Sequence, residues 1–284
     1  HVNGIYQDTK LLSKKFYQTD EAKSYSKIYL EKEKKDYNKR IKNIYLPKAN
    51  FLIENLKKRE KINYIKNKYQ FIDIGCGSGY FLSSLKKLKI KNIKGYDPSK
   101  SMVDYGNYVN NFKILNFINH ENTIDEIKKI DKDKKTCVSM IGSLEHIYNQ
   151  NDILREIKRK KNIKYLYIVV PCFSPTSFIE MIFNKNFQRL LAPQHTHLYT
   201  SQSLKYLEKM FNLKIIGEWW FGADIVDLYR NFLLDIKSKE TKNKKMNTIK
   251  IFNKMFLNLL DNLQLEIDKK KLSSEAHIIY KVNN

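Results

Sequence analysis

The stretch Phe71-Ile72-Asp73-Ile74-Gly75-Cys76-Gly77-Ser78-Gly79-Tyr80 decides the fold of this chain. Tyr69 to Ile74 reads as an apolar strand, the glycines as a tight loop, and Tyr80 to Leu88 as the helix that follows. Glycine tolerates positive φ and lets a ligand approach the main chain closely. The helix start presents free N–H groups and the positive end of a dipole. Strand, glycine turn and helix therefore make a small-molecule site, usually for a nucleotide-like ligand.

The details of the loop narrow the ligand. The dinucleotide fingerprint needs a third glycine where Tyr80 stands, whereas the glycines here fall at Gly75, Gly77 and Gly79. Asp73 lies just before them and would repel a pyrophosphate but welcome an ammonium group. Asp97 ends the next strand, Ile93 to Asp97, where a carboxylate can accept two hydrogen bonds from a ribose diol. A ligand with a ribose and an aminoacyl end suits both acids. Tyr80 and Asp73 together disfavour a nicotinamide oxidoreductase.

With these residues in hand, the chain resembles the class I S-adenosylmethionine (SAM) dependent methyltransferases. The Asp-x-Gly-x-Gly-x-Gly loop is similar to their first motif and Asp97 to their ribose-binding acid. Ser139 to Ile147 resembles the Leu-Glu-His turn after the fourth strand in the ubiquinone-type branch. Pro193 to Thr200 resembles that branch's Pro-Glu-His segment, with Gln194 in place of Glu. The resemblance spans about residues 66–220 and resumes in the last strand. It implies SAM as cofactor and S-adenosylhomocysteine as product. It also implies cofactor contacts from Asp73, Gly75, Cys76, Gly77, Gly79, Asp97, Pro98, Met102, Gly142, Ser143 and Leu144. The segment 119–121 falls where the family usually contacts the adenine amino group, but without the usual Asp.

Taken in order, the chain alternates strands and helices, which implies an α/β, Rossmann-like, doubly wound parallel sheet. The expected divisions are residues 1–66, an N-terminal helical lead or lid; 67–221, the SAM-binding core; 222–272, a helical insertion; and 273–284, the last strand. The opening His1-Val2-Asn3-Gly4 is set aside, having neither an initiator Met nor an apolar signal region. Helical spacing runs from Asp20 to about Lys66, with Pro47 breaking or restarting the helix, and Tyr25 and Tyr29 are lid candidates. The strands expected next are Phe112 to Ile118, Thr136 to Ile141, Tyr165 to Val170 and Leu213 to Trp219. Ser174 to Leu191 reads as an amphipathic helix whose Phe178, Met181, Ile182 and Phe187 could cover a substrate. Lys237 to Lys245 has the composition of a solvated loop between two helices. Ala276 to Val282 closes the sheet, antiparallel in the resembled family. The insertion is a substrate cap or a homodimer surface.

Composition bounds the rest. Net charge is +23. The Lys residues are dispersed among Asn and Ile and Arg is sparse, so compositional bias outweighs a nucleic-acid footprint. The positive field could still steer a nucleotide-linked or phosphorylated substrate. The three cysteines, Cys76, Cys137 and Cys172, form neither a disulfide framework nor a zinc spacing, which points to a reducing cytoplasm. No stretch is apolar for long enough to span a membrane.

A methyl carried on a sulfonium is already activated, so the protein must align an acceptor and remove its proton. The candidates for that proton are His195 and His146; His197, Tyr199 and Asp224 are weaker. Glu145 reads as an ion-pair or capping residue, and no metal is assigned. The inserted helices and histidine segment resemble methyltransferases of bacterial surface-polysaccharide (capsule) clusters, implying O-methylation of a sugar, a sugar nucleotide or another precursor. The alternatives are an RNA methyltransferase and a non-catalytic scaffold that keeps the fold.

Overall fold

The computed structural model describes residues 34–183, 189–192, 195–239 and 242–283. Tyr25, Tyr29, Phe187, Pro193 and Gln194 lie outside them. The seven strands are β1 (Gln70–Ile74), β2 (Asn92–Asp97), β3 (Leu115–Phe117), β4 (Thr136–Ile141), β5 (Ile163–Pro171), β6 (Leu213–Phe221) and β7 (Glu275–Val282). They form one sheet in the order β3-β2-β1-β4-β5-β7-β6. β7 runs antiparallel to both its neighbours, β5 and β6, and the other pairs are parallel. The doubly wound α/β sheet with an antiparallel last strand is thus the fold expected from the sequence.

Both faces are covered. Period-two alternation sends Ile72, Ile168 and Ile278 to one face and Phe71, Tyr167 and Ile279 to the other. The first face packs on helices Gln150–Arg159 and Ser201–Phe211 through Ile153, Ile157, Leu204 and Leu207. The second packs on Leu46–Lys57 and Tyr80–Lys87 through Leu52, Leu56, Phe81 and Leu85. A strand buried on both sides must be apolar throughout, which is why Tyr165 to Val170 is an unbroken run.

The local corrections have physical causes. Pro47 sits in the first turn of Leu46–Lys57, behind a π-helical turn, Ile41–Tyr45. The wider turn absorbs the missing N–H and the ring, so the helical lead restarts instead of breaking. The third strand is shorter than expected, Leu115–Phe117. The Asn107 side chain brackets its start, accepting from Leu115 N at 3.1 Å and donating to Leu115 O at 2.9 Å. The amphipathic helix after β5 stops at Ile182, with Phe178, Met181 and Ile182 exposed. Over its described residues the Lys-rich stretch is helical instead of a loop: helices Asp224–Lys239 and Lys242–Phe256 run into it from both sides. Stacking of Tyr229 on Phe252, with ring centroids 5.4 Å apart, pairs these two helices. Tertiary packing here overrides a composition that favours solvent. A third helix, Leu260–Lys269, completes the insertion before β7.

Asp224 anchors the insertion to the core. Fully buried, it accepts hydrogen bonds from Ser174 Oγ (2.6 Å), Thr176 Oγ1 (2.8 Å) and Ser274 N (3.0 Å). Burial opposes its charge, yet these donors hold its pKa below the usual carboxylate range. Asp224 therefore acts as a brace, not the pocket residue the sequence suggested.

Candidate active site

The carboxyl ends of β1, β2 and β4 meet where the strand order reverses, the place at which open α/β sheets bind ligands. Gly75, Gly77, Gly79 and Gly142 all have positive φ, between 51° and 75°. They do two different jobs. A Cβ at Gly75 would lie 2.3 Å from Ser143 Cβ, and one at Gly79 would lie 2.9 Å from Leu115 Cδ1. These two glycines allow close packing of the turn. At Gly77 and Gly142 the nearest atoms are Met102 Cε at 3.6 Å and Glu145 Oε1 at 3.7 Å, so room remains above the main chain. That room is a cradle which any side chain at either position would begin to fill.

The acids border the cradle. Asp97 Oδ2 accepts from Gly77 N at 2.6 Å, and its Oδ1 accepts from Ser99 N at 2.8 Å. Each oxygen keeps a lone-pair site for a second donor, as a ribose diol requires. Asp73 is 1 % exposed and accepts from Ser139 Oγ at 2.7 Å. Ser143 Oγ donates to Ile74 O at 2.7 Å and ties the β4 turn to the end of β1. Half-buried Met102, its Sδ 3.5 Å from Ser78 Oγ, lies against the glycine loop, with Pro98 just ahead of its helix. The residues present therefore fit a ligand carrying a ribose and an ammonium.

Two expected contacts turn elsewhere. Cys76 sulfur packs toward Gly95, and both Cys76 main-chain groups bond within the fold, to Tyr96 O and Gly79 N. The Leu144 side chain is wholly inside the core. Only the placement of their main chain bears on the site. Conversely, the helical lead reaches the loop through a residue that was not singled out. Tyr37 donates to Ser78 O at 2.7 Å and stacks on Tyr80 at 4.5 Å.

Burial with little compensating charge raises the Asp73 pKa to about 7, with Asp97 adding repulsion. Burial likewise lifts Asp97 to about 6, against the two N–H donors. Without ligand, these acids hold protons that the unfolded chain releases near pH 4. The stability they contribute is present below that pH and is lost as pH rises through about 6 to 7. A bound ammonium favours the ionised form. Affinity for S-adenosylhomocysteine should therefore rise from pH 5.5 to 7.5, with proton release, visible as buffer-dependent calorimetric enthalpy. Flat affinity over that range would detach these acids from the ligand. Asp97→Ala should weaken the same binding by about 1–3 kcal/mol through lost charged hydrogen bonds; an unchanged Kd in titration would remove the ribose assignment.

A second cluster adjoins the cradle. Glu145 and His146 lie on the short turn Leu144–His146 after β4, and His195 comes from the segment after Ala192. Ligand-capable atoms of all three lie within 4.8 Å of one another. The two imidazoles are 4.9 Å apart between centroids. Thr196 joins the segments, since both its N (2.8 Å) and its Oγ1 (2.6 Å) donate to Glu145 O. Glu145 is 4 % exposed, and burial raises its pKa to about 7 although His195 lowers it. Its Oε1 is 3.9 Å from His146 Nε2, while its Oε2 is buried with no hydrogen-bond partner among the described residues. This is neither a cap nor a satisfied ion pair, so the sequence reading of Glu145 is corrected. Leu190 O accepts at 2.9 Å from His195 Nδ1, which leaves Nε2 as the lone-pair atom. Burial lowers the His195 pKa, so the ring is held neutral.

The weaker candidates fall away. His197 Nδ1 meets Thr196 Oγ1 at 2.7 Å, and burial presses its pKa to about 4. Tyr199 is a core residue whose hydroxyl donates to Gln150 Oε1. What the sequence reading missed is a chain of polar contacts from β7: Lys48 to Glu275 at 2.9 Å, Glu275 to His277 at 2.7 Å, His277 to Tyr167 at 3.0 Å. Burial opposes the Glu275 charge, but Lys48 and His277 hold its pKa at about 2. Glu275 and Lys48 both act on the charge of Glu145. The signal was period two: Glu275 and His277 share a strand face.

Comparison with known proteins follows this geometry. A family model described as a methyltransferase domain matches residues 37–218. No curated protein matches the chain in sequence. Among solved structures, a putative sarcosine dimethylglycine methyltransferase from Galdieria sulphuraria is similar, at 12 % identity and a TM-score of 0.53, over 84 % of this chain and 86 % of that one. So is the geranyl diphosphate C-methyltransferase from Streptomyces coelicolor A3(2), at 13 % identity and a TM-score of 0.52, over 88 % of this chain and 83 % of that one. At such identities the likeness is one of fold.

Proposed function

The chain belongs to the methyltransferase-domain family, and from that premise we propose that it methylates a hydroxyl of a small molecule, a sugar nucleotide or another surface-polysaccharide precursor, in the cytoplasm. S-adenosylmethionine is the methyl donor; when bound, it supplies a methyl group on a sulfonium, whose leaving group is a neutral thioether.

The protein's own residues divide the remaining work. Gly77 and Gly142 give the donor room against the main chain, Asp97 holds the ribose hydroxyls, and Asp73 meets the ammonium directly or through a bridging water. The Glu145–His146–His195 cluster, adjoining Gly142, receives the acceptor. It is the observation that carries the hydroxyl reading: a neutral histidine with a presented lone pair beside a buried carboxylate is suited to an O–H group that must lose its proton. Lys48, close enough to act on Glu145, can meet a phosphate on the acceptor. The exposed Phe178, Met181 and Ile182 could cover the substrate from the helix after β5. The sugar class rests on the sequence resemblance of the inserted helices and of residues 193–200.

Calorimetric titration with S-adenosylhomocysteine, with NADH as control, tests the cofactor. Micromolar binding of the first and none of the second is expected. Transfer of labelled methyl to a panel of sugar nucleotides and to RNA then tests the acceptor. Transfer to RNA alone would replace the small-molecule reading.

A further inference from the structure

We propose that Glu145, His146 and His195 form a binding site for a divalent transition-metal ion. This departs from the sequence reading, which assigned no metal. It rests on three independent features of the cluster.

The first is the orphaned carboxylate oxygen. Glu145 is 4 % exposed, yet its Oε2 has no hydrogen-bond partner among the described residues. A buried polar atom without a partner costs about 1–3 kcal/mol, and more if charged. Around the carboxylate stand the two imidazoles, with His146 Nε2 3.9 Å from Oε1, while Lys48 acts on its charge but is itself paired with Glu275 at 2.9 Å. A cation between Glu145 and the rings would neutralise the buried carboxylate and take up the lone pair of His195 Nε2.

The second is the state of His195. Its Nδ1 faces Leu190 O at 2.9 Å, and a carbonyl can only accept, so the proton resides on Nδ1. The lone pair is then on Nε2. An imidazole pinned by a backbone carbonyl through its other nitrogen is the usual outer support of a metal-binding histidine.

The third is the bracing of that carbonyl. The Glu180 carboxylate accepts from three successive main-chain N–H groups, Arg189 (2.9 Å), Leu190 (2.9 Å) and Leu191 (2.8 Å). Glu180 is itself buried. It holds the turn that carries Leu190 O, and Thr196 ties the same segment to Glu145 O. The donor atoms are thus held by structure around them.

Two imidazoles and one carboxylate select the ion. Magnesium, calcium and manganese prefer oxygen shells, whereas imidazole suits zinc, copper, iron and nickel. Bonds of roughly 2.0–2.2 Å place ligands about 3–4 Å apart. The donors, within 4.8 Å of each other, need contract by at most about 1–2 Å. Three protein ligands leave a coordination position for another oxygen. Its identification as the acceptor hydroxyl rests on the proposed methyl transfer; the metal binding itself does not.

The test uses the whole chain, stripped of metal with a chelator and then titrated with Co²⁺ and with Zn²⁺. Calorimetry and the visible absorption of bound Co²⁺ read the site, and S-adenosylhomocysteine affinity is measured on the same samples. The expected result is one ion per chain at micromolar affinity or tighter, with Zn²⁺ displacing Co²⁺. Glu145→Gln and His195→Gln should each weaken binding at least tenfold. The more exposed His146→Ala provides the same test should a buried variant fail to fold. Absence of a stoichiometric ion, or undiminished binding in the variants, would overturn the site. The cofactor reading is separable, because its own titration succeeds or fails whatever the metal does.

Discussion

His195→Ala is expected to lower turnover by about 10²- to 10⁴-fold while S-adenosylhomocysteine affinity changes less than twofold. The ring lies in the Glu145–His146–His195 cluster, whereas Gly77, Asp97 and Asp73, to which the cofactor is assigned in the proposed function, lie at the ends of β1 and β2. Its removal takes away the Nε2 lone pair, which acts as base when no metal is bound and as ligand when one is, and leaves the cradle as it was. The backbone around it is retained, since the Glu180 and Thr196 hydrogen bonds do not involve the imidazole. Measured kcat, cofactor Kd and Tm on one preparation separate the cases. A parallel fall of affinity and Tm would make His195 a packing residue and remove the chemistry assigned to it. His195→Gln, which keeps a polar side chain, should be nearly as inactive, because an amide is not a base near neutral pH.

Gly77→Val should abolish measurable cofactor binding, a loss of more than about 100-fold, at a modest cost in stability of about 1–2 kcal/mol for a branched residue at φ 51°. Its Cβ meets only Met102 Cε at 3.6 Å, so the folded protein accommodates the first atom and the cradle receives the rest. Gly75→Ala is the contrasting case. There the added carbon would lie 2.3 Å from Ser143 Cβ, and the β1 and β4 ends would have to separate. Binding should fail there too, but together with a much larger drop in Tm. Thermal melts beside calorimetry distinguish a filled cradle from a broken turn. Retained affinity in Gly77→Val would place the cofactor elsewhere.

Much of this was legible because the relevant signals are local. A strand buried on both faces must be apolar, and a turn with positive φ wants glycine; these rules announced β1, β4, β5 and the loop at Gly75 to Gly79. The order of strand and helix then set the doubly wound class. The Lys-rich stretch misled for the converse reason. Its composition speaks of solvent, but helices Asp224–Lys239 and Lys242–Phe256 are paired through Tyr229 and Phe252, a contact that no local rule anticipates.

The sequence by itself determined the α/β class, the glycine loop and the positions of the two acids that border it, because each depends on backbone conformation and on residues close in the chain. Only the tertiary structure decided what Glu145, His146 and His195 are to one another. Two of the three adjoin on one turn, but the third arrives from the far side of β5, and its ring is oriented by Leu190 O and Glu180. Whether a carboxylate is a cap, an ion pair or an orphan depends on which atoms surround it. For Glu145 those atoms come from segments some fifty residues apart, where sequence spacing carries no distance.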